Sequence, residues 1–156
     1  HVTAASGGAG VALLEIYAAD IDTTTRLGGL SARGRVGAGG EVLIVGFVIE
    51  GTTPLRLLLR GVGPSLAAFG VGGTLVDPQL TLFNASSVIA SNDSWQQSPD
   101  AAAIAAAGSA TGAFPLAGQS RDAALLVTLP AGSYTLHLRG GDGGSGIGLA
   151  EIYVVP

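Results

Sequence analysis

Residues 122–156 read DAALLVTLPAGSYTLHLRGGDGGSGIGLAEIYVVP. Tyr134, Leu136 and Leu138 alternate with Thr135, His137 and Arg139, the period of two that gives a strand one apolar and one polar face. Pro130-Ala131-Gly132 has turn chemistry and separates this strand from an apolar run at Asp122–Leu129. The glycines of Gly140–Gly146 suit a turn with positive φ angles, and a third strand is expected over Ile147–Val155. The same signals recur upstream. Strands are expected near Leu30–Arg35, Glu41–Ile49 and Leu55–Gly61, with a hairpin of Gln79–Phe83 and Val88–Ser91 across Asn84-Ala85-Ser86. Glu41–Ile49 is so continuously apolar that burial on both faces is expected. Residues 62–78 read as irregular, with one helical turn at Pro64–Phe69. Ser98 as N-cap, Pro99 and Asp100 open a short helix near 99–107, closed by Gly108. About eight or nine short strands and one small helix make an all-β fold, an antiparallel β-sandwich of jelly-roll or immunoglobulin-like type.

The closing strand occurs twice. Residues 1–20, HVTAASGGAGVALLEIYAAD, align without gaps on residues 137–156, HLRGGDGGSGIGLAEIYVVP, at an offset of 136. His1 falls on His137, Gly10 on Gly146, Leu13 on Leu149, and Glu15-Ile16-Tyr17 on Glu151-Ile152-Tyr153. The chain thus divides into a connector, residues 1–20, and a sandwich domain, residues 21–156. Val11, Leu13, Glu15 and Tyr17 would line one face of the connector strand, with Ala12, Leu14 and Ile16 on the other; Asp20–Thr25 reads as a polar loop. Two explanations stand. Residues 1–20 are the last strand of a preceding unit in a tandem array, or they are a spare strand that a subunit places on its neighbour's sheet.

Composition excludes several classes. Gly (26) and Ala (25) dominate, only 12% of residues are charged, and the net charge is −4 with no basic cluster, which argues against nucleic acid as partner. No apolar run is long enough for a membrane-spanning helix. The 47% apolar content argues against disorder. Without Cys there is no disulfide or thiolate metal site, and without Lys no Walker-type phosphate loop. Without Met, an initiator and a leader are expected upstream of His1.

No catalytic constellation emerges. His137 is the one internal histidine, lies mid-strand, and repeats as His1, a structural pattern. Gly61-Val62-Gly63-Pro64 lacks the third glycine and the helix opening of a dinucleotide loop. Asn92-Asp93, with Asp77 or Asp100, has the oxygen chemistry of a Ca²⁺ site, against the simpler Asx-turn before Trp95. Asn84 and Asn92 lie in N-glycosylation patterns. Glu15 and Glu151, inside apolar strands, face solvent or pair with one of Arg33, Arg35, Arg56 or Arg60. Trp95 reads as core, with a sugar-stacking platform as the alternative. No cofactor, metal or catalytic residue is expected.

The segments LTLFNASSVIASNDSW (80–95) and LPAGSYTLHL (129–138) resemble the bacterial pre-peptidase C-terminal type of β-sandwich. The upstream ARGRVG (32–37) and LRGVGPSLAAFGV (59–71) look like a longer repeat module of large secreted or surface-anchored bacterial proteins. The resemblance implies an extracellular or cell-surface accessory domain with no catalytic residues. The expected function is a structural subunit of an extracellular filament or surface fibre. Copies of the chain would join head to tail through Val11, Leu13, Leu14, Glu15, Ile16 and Tyr17. The alternative is a carbohydrate-binding or adhesion module, with glycans as partners.

Overall fold

A computed structural model describes residues 2, 5, 7, 10–16, 27–141 and 143–156. The expectations for Tyr17 and for the loop at 20–25 lie outside these residues. Two four-stranded antiparallel sheets face each other. The strands are β1 (Gly29–Val36), β2 (Leu43–Ile49), β3 (Leu55–Val62), β4 (Pro78–Asn84), β5 (Ser87–Asn92), β6 (Ala123–Leu129), β7 (Gly132–Gly140) and β8 (Gly146–Val154). One sheet has the order β1-β8-β3-β6 and the other β2-β7-β4-β5. The fold is the all-β sandwich expected from the strand pattern.

Alternation along each strand builds the core. Leu57, Leu59, Ala150 and Ile152 from the first sheet meet Val45, Leu80, Leu82, Leu136 and Leu138 from the second. A row of small residues, Ala32, Ala150, Gly61 and Ala123, runs across the first sheet by strand register. Small side chains there let the sheets approach, and Leu80 and Leu138 fill the hollow. A Cβ on Gly61 would stand 2.8 Å from Leu80 Cγ and 2.9 Å from Leu138 Cδ1.

The strand buried on both faces is β3, not β2. Ile44 (52%) and Val48 (66%) are exposed on the outer face of β2, an edge strand. In β3 the outward Leu58 is covered by Trp95, Ile104 and Ala107. The covering elements are a 3₁₀ turn at Trp95–Gln97 and α1 (Ala101–Thr111). A continuous apolar stretch shows that a strand can be buried, but a second layer over the sheet decides which one is. The helix also runs past Gly108 to a left-handed Gly112, whose N–H donates to the Ser109 carbonyl while the Ala113 N–H donates to that of Gly108.

The Gly140–Gly146 connection carries the chain from one sheet to the other, so it is an arch and not a hairpin within a sheet. Gly146 is required by close approach: its Cβ would meet the backbone of Leu75 and Thr74. The turn at Pro64–Phe69 is a 3₁₀ helix with those limits.

Candidate functional site

The duplicated strand directs attention to β8, because its place in the fold is what the copy at 10–17 would have to match. β8 lies between β1 and β3 and is paired on both sides. Its register runs from Gly29↔Tyr153 to Val36↔Gly146 on one edge and from Leu57↔Val154 to Val62↔Leu149 on the other. Glu151 and Tyr153 face outward, whereas Ala150 and Ile152 belong to the core between the sheets.

Glu151 is buried with Arg60, Nε standing 3.1 Å from Oε2. Of the four arginines proposed from the sequence, Arg60 is this partner; Arg33, Arg35 and Arg56 are exposed. The other carboxylate oxygen accepts from Ser31 Oγ at 3.0 Å and from the Tyr153 hydroxyl at 2.7 Å. Arg60 Nη1 donates to the Phe114 carbonyl at 2.8 Å, and its guanidinium lies 4.3 Å from the Phe114 ring centroid. These contacts offset part of the desolvation of two charges, while Arg60 Nη2 stays buried without a hydrogen bond. Burial pushes the Arg60 pKa down, against the attraction of Glu151. It raises that of Tyr153, which also donates its proton to the carboxylate.

A second buried group went unnoticed in the sequence. Asp122, at the start of β6, accepts from the Gly63 N–H at 2.8 Å, from the Ser65 hydroxyl, and from the Ser120 hydroxyl at 2.6 Å. Ser65 Oγ in turn accepts from the Ala117 N–H. The glycine-rich bend before Pro64 therefore wraps an anion of its own chain. A side chain on Gly63 would run into the Leu75 carbonyl. The sequence signal was an Asp beside an apolar strand, which looks the same whether the group is solvated or enclosed.

The remaining sequence candidates are placed as follows. His137 packs against Phe83, ring centroids 4.6 Å apart, on the outer face of the second sheet, and burial lowers its pKa. Trp95 is 8% exposed beneath α1, so it presents no ring face for stacking on a sugar. Asn92 accepts from the Ala124 N–H and donates to the Ser94 carbonyl, so its amide ties the end of β5 to β6, and its oxygen is engaged there and not in the Asx-turn expected from the sequence. Asp77 is salt-bridged to Arg121 at 3.0 Å, beside a polar groove that Asp93 also lines. Among the described residues, no group of three or more His, Asp or Glu is positioned to hold a metal ion. Among the same residues, no helix is long and apolar enough to cross a membrane.

The copy of β8 is placed differently. Residues 10–16 carry neither helix nor strand, and Val11, Leu13 (82%), Leu14 (71%) and Ile16 are exposed. The structure does not bring Val11, Leu13, Leu14, Glu15 and Ile16 into a sheet, and Tyr17 lies outside the described residues.

No protein-family model matches the chain, and neither does any curated protein. Among solved structures, the pre-peptidase C-terminal domain of a collagenase from Bacillus anthracis is similar, at 12% identity and a TM-score of 0.46. The match covers 80% of this chain and 88% of that one.

Proposed function

We propose that the chain is a non-enzymatic structural module of an extracellular bacterial fibre or surface protein, joined head to tail to sandwiches of the same plan. Residues 10–17 form the closing strand of the preceding sandwich. The observation that carries this reading is the contrast between two segments that share Gly, Leu and Glu-Ile-Tyr at matching positions. One is sealed between β1 and β3 around a buried Glu–Arg pair, while the other is exposed. Glu15 and Tyr17 repeat the residues that meet Arg60 and Ser31 from β8.

Because β8 already fills its own slot, each sandwich owns one closing strand. That favours a tandem chain over addition of residues 10–17 to a complete neighbour. The extracellular setting rests on the resemblance of residues 32–37, 59–71, 80–95 and 129–138 to modules of secreted and surface-anchored bacterial proteins.

Three observations test the proposal. Removing residues 1–20 should leave the melting temperature unchanged, because the segment belongs to another sandwich; a marked fall refutes it. The reading frame upstream of His1 should carry the motifs of residues 59–95 in the same order. If it does not, the tandem form is wrong. Electron microscopy of the purified chain then decides the non-covalent form, which requires fibres that vanish on deleting residues 1–20.

A further inference from the structure

The two copies of the closing strand agree on one face and differ on the other. The outward positions pair Val11 with Ile147, Leu13 with Leu149, Glu15 with Glu151 and Tyr17 with Tyr153, so the groups that meet Arg60 and Ser31 are retained. On the inward face Ala12 stands for Gly148 and Leu14 for Ala150, with isoleucine kept at 16 and 152. Those two changes add four carbons where the fold has least room. A Cβ on Gly148 would stand 2.8 Å from Leu138 Cδ2 and 3.2 Å from Val36 Cγ2. Ala150 is fully buried in the row of small residues, beside Gly61, whose own Cβ position is blocked by Leu80 and Leu138.

Close-packed interiors resist added volume. The inward face of residues 10–17 therefore does not suit the slot of this sandwich, although the outward face does. Reach is no obstacle. In β8's register Tyr17 would stand opposite Gly29, and residues 18–28 need only link two adjacent antiparallel strands, about 5 Å apart.

We propose that residues 10–17 close a sandwich that is built like this one but is not identical to it. That partner has counterparts of Arg60 and Ser31 outside, and smaller side chains than Leu138 and Leu80 inside. The partner is a related module and not a second copy of this chain. The mismatch also keeps the segment from displacing β8 within its own unit, so neighbouring units do not scramble their closing strands. This rests on the closing-strand reading above.

The test uses the whole chain with β8 disabled by Ala150→Asp, which places an unpaired carboxylate in the core. In that background the native residues 10–17 should fail to restore cooperative unfolding, whereas Ala12→Gly with Leu14→Ala should restore it. If both chains refold, the segment can close this slot as it stands and the proposal is overturned, while the closing-strand reading survives. If neither refolds, the segment cannot act as a closing strand, and reading and proposal fall together. A second measurement leaves β8 functional. Gly148→Ala with Ala150→Leu should lower the melting temperature by about 10 °C, and Leu138→Ala added to that pair should recover part of the loss. An unchanged melting temperature would show that the slot has room for the inward face of residues 10–17, and would overturn the proposal by itself.

Discussion

The buried pair of Arg60 and Glu151 offers the sharpest quantitative test of how this sandwich is held. Glu151→Gln keeps the shape and the oxygen that accepts from Ser31 and Tyr153, removes the charge, and turns an NH₂ donor toward Arg60 Nε where Oε2 stood. Arg60 then remains a buried cation whose compensation is the Phe114 carbonyl and the face of its ring. Removing one partner of a buried pair costs about 3–5 kcal/mol. The retained contacts place this case near the lower end, about 3 kcal/mol. For a chain of this size that corresponds to a fall in melting temperature of about 6–12 °C. Arg60→Met in the same background takes away the unpaired charge and keeps apolar contact with Phe114. Arg60→Met alone leaves the Glu151 carboxylate unpaired and should also cost about 3 kcal/mol, whereas the double variant should lie within about 1.5 kcal/mol of the native protein, giving a coupling of about 4 kcal/mol or more. Urea unfolding of the four proteins measures all the terms. If the two single substitutions add within about 0.5 kcal/mol, the charges are not coupled and the argument from burial fails.

Asp122→Asn should cost at least about 2 kcal/mol, because an amide NH₂ replaces an acceptor that faces only donors from Gly63, Ser65 and Ser120; a neutral result in urea would mean those donors have other acceptors. Trp95→Ala should destabilise by about 3–5 kcal/mol through the cavity left among Leu58, Ile104 and Ala124. Trp95→Phe should cost much less, since the buried indole N–H has no hydrogen-bond partner to lose. The raised pKa of Tyr153 means that the unfolded chain ionises first. Its contribution is complete below pH 10 and is lost as pH rises through that value and above it. Urea midpoints at pH 8 and pH 10.5 should therefore fall more steeply for the native protein than for Tyr153→Phe, and parallel slopes would contradict this.

Much of the fold was legible along the chain because its cues are local. The alternation of Tyr134, Leu136 and Leu138 is a local property, and so is the proline that opens the turn at Pro64–Phe69. The β4–β5 hairpin was placed within a residue because the alternating runs on either side bracket a two-residue turn, Ala85–Ser86. The duplicated closing strand, with its Glu-Ile-Tyr ending, needed only self-comparison.

Tertiary structure alone decided the rest. The sequence offered four arginines for Glu151, and only the register of β8 against β3 places Arg60 opposite it. The apolar run of β2 looks the more burial-prone, since β3 carries Arg56 and Arg60, yet α1 and the segment through Phe114 cover β3 and leave Ile44 and Val48 exposed. Asp122 became a hub because distant residues 63, 65 and 120 converge on it. The sequence by itself determined the eight sandwich strands to within a few residues and the duplication of the closing strand at an offset of 136, since each is written in neighbouring or identical residues. Only the packed sandwich decided which face of each strand is covered and how little room Gly148 and Ala150 leave. Both depend on atoms brought together from strands far apart in the chain.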